Sequence, residues 1–177
     1  MLKFIFLSLL FCNYSFADEL NLFTSRHYEG DNMLFNQFTN LTGIKVNVVS
    51  GKSKVLEKRI LEEGEKSKAD ILFLADAGAL YSSQLKGLFA KLDQKRFNFI
   101  PKSLRNDYWV GITKRARVLF YNPNVLSVNE IQDITYENLA DKKWAKAIAI
   151  RQSNNIYNQS LVASILEHNG ERKTKKW

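Results

Sequence analysis

The chain has 177 residues, with 26 basic and 18 acidic side chains and a formal net charge of +8. Hydrophobic residues make up 45% of it, which is typical of a globular protein and does not fit a disordered chain. The basic residues are mixed with acids, as in residues 52–68, where six bases and four acids occur on one predicted helix. This mixing favours a solvated surface over a basic patch, so we expect no nucleic-acid partner.

The first 17 residues have the pattern of a secretory signal peptide. Lys3 gives a positive start, residues 4–11 are apolar, and Ser15 and Ala17 place small side chains before a cleavage point. The alternative is a membrane anchor, but the apolar run is shorter than the roughly 20 residues that a spanning helix needs. We therefore expect cleavage after Ala17 and export to the periplasm.

The chain predicted after cleavage, residues 18–177, has no cysteine, because Cys12 is the only one in the sequence. Disulfides therefore cannot stabilise it, and its apolar core must do so. No later stretch is long and apolar enough to span a bilayer, so the mature chain is not expected to be embedded in the membrane.

Strand and helix patterns alternate through the first half of the chain. The predicted strands are residues 20–24, 44–48 and 71–74. The first helix is predicted over residues 30–41, where apolar side chains recur every three or four positions, and Gly43 suits its C-terminal cap. A second helix begins at Ser53 and ends near Gly64, and its predicted buried face consists of Val55, Leu56, Ile60 and Leu61. A third covers residues 77–85, with Asp76 in the N-cap position.

This β-α alternation predicts an α/β fold with a parallel sheet between helices. Ligands of such sheets bind beyond the carboxyl ends of the strands. The predicted ligand edge therefore comprises residues 24–28, 50–53 and 75–78.

The second half of the chain has a different pattern. Residues 109–122 form a long extended run with a charged centre, which predicts a strand connecting two lobes. A short helix over 136–144, a strand over 147–150 and a helix over 158–168 follow, and Gly170 ends the last of these. We predict a first lobe over residues 18–114, a hinge strand over 115–122 and an incomplete second lobe over 123–177.

Three side chains at the predicted ligand edge could bind a metal ion. His27 and Tyr28 follow the first strand, and Tyr157 lies in a polar loop after the strand predicted at 147–150. A cleft between two lobes would bring them face to face. Taken alone, Tyr157 could equally be a packing residue at a helix start, and Asp76 is interpreted as a helix cap rather than as a ligand.

Four segments resemble the ferric-iron-binding proteins of bacterial ABC transporters. They are Ser-Arg-His-Tyr at 25–28, Ala-Asp-Ala-Gly at 75–78, Arg-Ala-Arg-Val at 115–118 and Ser-Asn-Asn-Ile-Tyr-Asn-Gln-Ser at 153–160. Those proteins are type 2 periplasmic binding proteins, with two α/β lobes of parallel or mixed sheet joined by a hinge. The resemblance covers nearly all of the predicted mature chain and about half of the family's length, taken in order.

The resemblance implies that Fe³⁺ is the carried ligand and that His27, Tyr28 and Tyr157 bind it. Arg117 would balance the charge of the phenolates, with Arg115 two residues away on the same face of the predicted strand. Arg26 and Arg151 are further candidates for contact with a synergistic anion, and Asp76 is a further candidate near the metal. An inner-membrane ABC permease is the implied partner. The family also supplies an adjacent pair of tyrosines later in the second lobe, and this sequence contains no such pair.

Two other functions are alternatives to iron binding. A binding protein of the same fold could take an anion or a small organic solute, using backbone N–H groups of residues 50–53 at a helix start. An enzyme is not expected, because the sequence has no glycine-rich phosphate loop, no serine-centred nucleophile elbow and no HExxH zinc helix.

Overall fold

The computed structural model describes residues 18–26 and 28–177. The chain divides between Leu74 and Ala75 into two compact units. The signal peptide predicted over residues 1–17 lies outside the described residues. Within the described ranges, no helix combines the length and the apolar character needed to cross a membrane. The lobe and hinge boundaries stay a prediction.

The first unit is built on a sheet of three parallel strands. They are β1 (Glu19–Thr24), β2 (Lys45–Ser50) and β3 (Ile71–Phe73), in the order β2-β1-β3. Because β1 is central, its Leu22, Phe23 and Thr24 are buried. The register pairs Leu22 with Val48 on one side and with Ile71 on the other. The parallel sheet predicted from the β-α alternation is confirmed.

Two helices connect these strands, α1 (Glu29–Thr42) and α2 (Ser53–Glu63). Gly43 has a φ of 75° and donates its N–H to the Thr39 carbonyl oxygen at 2.8 Å, which closes α1 in the left-handed conformation that glycine adopts without strain. The predicted C-terminal cap is therefore confirmed.

The buried face of α2 is narrower than the sequence predicted. Of its predicted apolar positions only Leu56 is buried, whereas Val55 is 60% exposed and Leu61 is 44% exposed. A Cβ at Gly51 would lie 3.1 Å from Leu56 Cδ2, so the glycine makes room for this one side chain to pack. The prediction of a four-residue buried face is wrong, because a narrow three-stranded sheet covers only part of a helix's apolar stripe.

The second unit consists mainly of helices and single turns. Its helices are α3 (Ala77–Leu85), α4 (Val128–Ile131) and α5 (Ile156–Lys176). Its 3-10 turns are Gln94–Phe97, Lys102–Leu104, Glu137–Ala140 and Lys142–Trp144. The continuous helix predicted over 136–144 is wrong, because Asp141 has an extended backbone, with ψ 143°, that separates two short turns.

Helix α5 supplies much of the core of this unit. Leu161 and Ile165 on α5 are buried, as are Trp144 and Ile100 elsewhere in the unit. At Gly170 the helical geometry breaks, with φ 74° and ψ 166°. This confirms the predicted end of the helix at that glycine, and a second helical piece continues to Lys176.

Two predicted strands are not formed. Residues 111–122 and 147–150 pair with no other strand in the described part of the chain, and only an isolated antiparallel bridge joins Arg105 and Val110. A strand requires a ladder partner for its backbone groups, and an extended sequence pattern does not supply one. The use of 115–122 as a hinge stays a prediction.

Side-chain hydrogen bonds connect residues between positions 84 and 109, which precede the irregular run 111–122. Arg105 donates from Nε to the Ile100 carbonyl oxygen at 2.8 Å and from Nη1 to Gln94 Oε1 at 3.0 Å. Gln84 Oε1 accepts from Asn106 Nδ2 at 2.9 Å and from Trp109 Nε1 at 3.0 Å. These bonds connect α3 to the loop that follows it.

Candidate functional site

The carboxyl ends of the three strands form one edge of the sheet. Gly51 donates its N–H to the Thr24 carbonyl oxygen at 3.0 Å, and Ser25 donates its N–H to the Phe73 carbonyl oxygen at 3.2 Å. The chain leaving β1 is therefore tied to the ends of both neighbouring strands. The ligand edge that the parallel topology predicted begins at this point.

Arg26 is the most firmly held side chain at this edge. It donates from Nε and Nη2 to the two carboxylate oxygens of Asp31, each at 2.9 Å, and the two side chains are 15% and 14% exposed. This two-pronged geometry is the one in which arginine binds carboxylates most strongly. The hydrogen bond from Arg26 holds the pKa of Asp31 below its usual value.

The guanidinium of Arg26 also lies over two aromatic rings. It is 4.7 Å from the centroid of the Phe73 ring and 5.0 Å from that of the Tyr28 ring. Phe73 is the last residue of β3, and Tyr28 is the N-cap residue of α1 with φ −91° and ψ 132°. The Arg26 guanidinium therefore contacts the end of β3 and Tyr28, which is both the start of α1 and a predicted ligand.

Tyr28 itself is 48% exposed, so its ring is accessible from solvent while one part of it contacts Arg26. His27, the other residue predicted to bind from this segment, lies outside the described residues.

In the second unit, Tyr157 occupies the first turn of α5. The Asn155 side chain caps this helix by accepting a hydrogen bond from the Tyr157 N–H at 3.0 Å. The Arg151 guanidinium lies 5.4 Å from the centroid of the Tyr157 ring. Arg151 is exposed, and its carbonyl oxygen accepts from Asn158 Nδ2 at 3.0 Å, so its main chain is held more firmly than its side chain.

Asp76 is the N-cap of α3, as predicted. Its Oδ1 accepts from the Gly78 N–H at 2.8 Å and from the Ser160 hydroxyl at 2.9 Å. Because Ser160 belongs to α5, the same oxygen joins the starts of two helices. A Cβ at Gly78 would lie 2.9 Å from Asp76 Oδ1 and 3.2 Å from Ser160 Oγ, so this approach depends on glycine.

Arg115 and Arg117 are exposed and lie in the irregular run 111–122. The prediction that both lie on one face of a strand is wrong, because that strand does not form. Their predicted part in balancing negative charge stays a prediction.

Among residues 18–26 and 28–177, no three His, Cys, Asp or Glu side chains lie together so that they could hold a metal ion. The structure adds several residues that the sequence did not single out. Asp31 supports Arg26 from the first turn of α1, and an acidic residue there could have been sought as its partner. Asn155 precedes an apolar run and carries a usual capping signal, which was missed because the helix was predicted to begin at 158.

Comparison with known proteins defines the family. Residues 66–177 match the bacterial extracellular solute-binding proteins, a match that covers more than half of the chain. The chain belongs to this family. It is a family of binding proteins and not of enzymes, as the sequence predicted.

Three relatives of this solute-binding protein carry names that refer to iron. Iron uptake protein A1 of Synechocystis is 44% identical over 162 residues, which are 90% of this chain and 44% of that protein. The structure of Trichodesmium FutA in complex with iron and citrate has a TM-score of 0.81 and 43% identity, over 90% of this chain and 51% of the other. The ferric binding protein of Campylobacter jejuni has a TM-score of 0.81 and 36% identity, over 89% and 51%.

This solute-binding protein therefore has the α/β fold of type 2 periplasmic binding proteins, as the resemblance implied. The chain spans about half the length of the relatives that it matches. The predicted resemblance to ferric-iron-binding proteins is confirmed by these relatives.

Proposed function

We propose that this protein is the ferric-iron-binding component of a bacterial ABC importer and that it acts in the periplasm after export. The proposed iron ligands are the phenolate oxygens of Tyr28 and Tyr157, with an imidazole nitrogen of His27. An inner-membrane permease receives the cargo, and a synergistic anion such as citrate completes the coordination. A relative named for ferric iron and another bound to iron and citrate support the choice of cargo.

The observation that carries this proposal is the common setting of the two tyrosines. Each lies at the N-terminal end of a helix, Tyr28 as the N-cap of α1 and Tyr157 in the first turn of α5. Each also has an arginine over its ring. Unpaired backbone N–H groups and the helix dipole favour negative charge at such an end, and a guanidinium does the same.

The chemistry of ferric iron fits these groups. Fe³⁺ is a hard cation and prefers anionic oxygen ligands to sulfur. Phenols ordinarily ionise near pH 10, but a coordinated metal ion displaces the proton at neutral pH, so binding releases protons. Several phenolates around one ion gather negative charge, and Arg117 with Arg115 is proposed to balance it.

A titration of the exported chain with ferric citrate tests the proposal. Phenolate-to-iron charge transfer is expected to give a visible absorption band, and both Tyr28→Phe and Tyr157→Phe should weaken it. Tyr81→Phe is the matched control, because Tyr81 is 53% exposed on α3 and is not a proposed ligand. The absence of a band from the folded chain, or a band that neither ligand variant changes, would contradict iron binding by tyrosines.

The same titration in the presence of phosphate or sulfate distinguishes the alternative. If either anion binds the chain and ferric citrate does not, the protein binds an anion with the same fold. Calorimetry measures both ligands directly and does not depend on a visible band.

Export is tested by expressing all 177 residues in a Gram-negative host and sequencing the N-terminus of the periplasmic product. The proposed signal peptide predicts a product that begins at Asp18. A chain that keeps Met1 and remains with the inner membrane would favour an anchor.

A further inference from the structure

The arrangement around Arg26 suggests a function for a residue that the metal-binding proposal does not use as a ligand. The guanidinium is fixed by both carboxylate oxygens of Asp31, and its central carbon lies over the rings of Phe73 and Tyr28. Its supports come from the first turn of α1 and from the last residue of β3. Both elements belong to the first compact unit, so the arrangement does not depend on the second.

We propose that Arg26 is a positioning residue that holds the Tyr28 ring at the carboxyl edge of the sheet, with Asp31 and Phe73 as its fixed supports. The consequence for iron affinity rests on the proposed function, whereas the position of the ring can be measured without iron.

The geometry favours positioning over a simple effect of charge. Asp31 is bonded to Arg26 through both carboxylate oxygens, which offsets part of the positive charge that Arg26 presents to Tyr28. The planar fork of Arg26 is held by Asp31, and the guanidinium fixed in this way can define the orientation of the Tyr28 ring. Lysine has the same charge but neither of these features, so it cannot replace arginine in this role.

A second arginine provides an internal comparison. The Arg59 guanidinium lies 5.0 Å from the centroid of the Phe23 ring and pairs with Glu63 through Nε, so it also joins a ring to a carboxylate. The Arg59 contacts involve β1 and α2 rather than the start of α1, because Phe23 lies within β1 and Glu63 at the end of α2. Arg59→Gln is therefore the matched control for Arg26→Gln.

The first measurement uses the iron-free exported chain with ¹³C-labelled tyrosine rings, and Tyr28→Phe assigns the signals. Nuclear Overhauser contacts are expected between the Tyr28 ring and the Arg26 side chain. Asp31→Asn should weaken these contacts, Arg26→Lys should not restore them, and Arg59→Gln should leave them unchanged. Asp31→Asn leaves Arg26 in place, so it tests the arrangement even if the arginine variants fold poorly.

The second measurement is the ferric citrate titration of the same variants. Arg26→Gln and Arg26→Lys should each weaken binding about tenfold, as expected for one cation–ring contact and the orientation it provides, and Arg59→Gln should have no effect. Wild-type affinity in Arg26→Lys would overturn positioning in favour of charge. Missing contacts between Tyr28 and Arg26 in the iron-free chain would overturn the inference outright. Contacts present in a chain that does not bind iron would leave the arrangement established and refute the proposed function.

Discussion

The two arginine–tyrosine pairs show how the same contact can be supported differently. In both, a guanidinium lies about 5 Å from a tyrosine ring at the start of a helix. Arg26 is 15% exposed and is bonded to a carboxylate and to a second ring, whereas Arg151 is exposed. The described residues show no carboxylate paired with Arg151. The two pairs therefore share the ring contact and differ in the side-chain supports of the arginine.

The largest expected effect lies in β1, the strand that leads to the first pair. Phe23 is 2% exposed in the central strand, so Phe23→Ala should lower the free energy of unfolding by about 3–5 kcal/mol. Urea denaturation followed by circular dichroism measures this loss. Leu85→Ala is the control, since Leu85 is 70% exposed and should change stability by less than about 0.5 kcal/mol. If Phe23→Ala lowered the free energy of unfolding no more than Leu85→Ala does, β1 would not be the core of its unit.

Support for the second pair can be weakened through Asp76. Asp76→Ala removes both the cap of α3 and the bond from Ser160, and should cost about 1–2 kcal/mol in thermal unfolding. Asp76→Asn keeps an oxygen that can accept both hydrogen bonds, so it should cost much less. If the asparagine variant were as unstable as the alanine variant, the charge of Asp76 would matter more than its hydrogen bonds.

Acid should affect the first pair through Asp31. Because its pKa is lower in the folded chain than in the unfolded one, Asp31 stabilises the fold above its unfolded pKa of about 3.9, and this stabilisation is lost as the pH falls through the folded pKa. Asp31→Asn should therefore cost about 1–2 kcal/mol at pH 6 and progressively less below pH 4. Stability curves of both chains from pH 6 to pH 2 measure the difference, and a gap that stays constant with pH would refute the ion pair.

The smallest effect is expected at Arg151. Arg151→Gln removes an exposed guanidinium, so the free energy of unfolding should change by less than about 0.5 kcal/mol at both pH 6 and pH 3. Chemical denaturation at the two pH values tests this. A larger loss, comparable with that from Arg26→Gln, would remove the distinction between the two pairs.

The sequence predicted the first unit well because its signals are local. The apolar spacing of α1 and the glycine at its end, Gly43, each depend on a few neighbouring residues. The apolar run of β3 and the β-α alternation then imply a parallel sheet, since such strands need helical connections.

The second unit was harder to predict because its pattern depends on distant partners. Residues 109–122 and 147–150 have extended sequences, but strand formation requires a neighbour that no local pattern reveals. Gln84, Asn106 and Trp109 instead form hydrogen bonds between residues up to 25 positions apart. Arg26 was noticed in the sequence only through a family motif, since its supports Asp31 and Phe73 are brought to it by the fold.

The ties around Arg26 have a consequence for the thermodynamics of any ligand that Tyr28 contacts. The Ser25 N–H is bonded to Phe73, the Arg26 N–H is bonded to Thr24 Oγ1 at 3.0 Å, and the Arg26 side chain is bonded to Asp31. These bonds restrict the backbone on the approach to Tyr28 while the protein folds. The loss of conformational entropy is thus largely complete before a ligand arrives, so less of the binding free energy is consumed in ordering this part of the site.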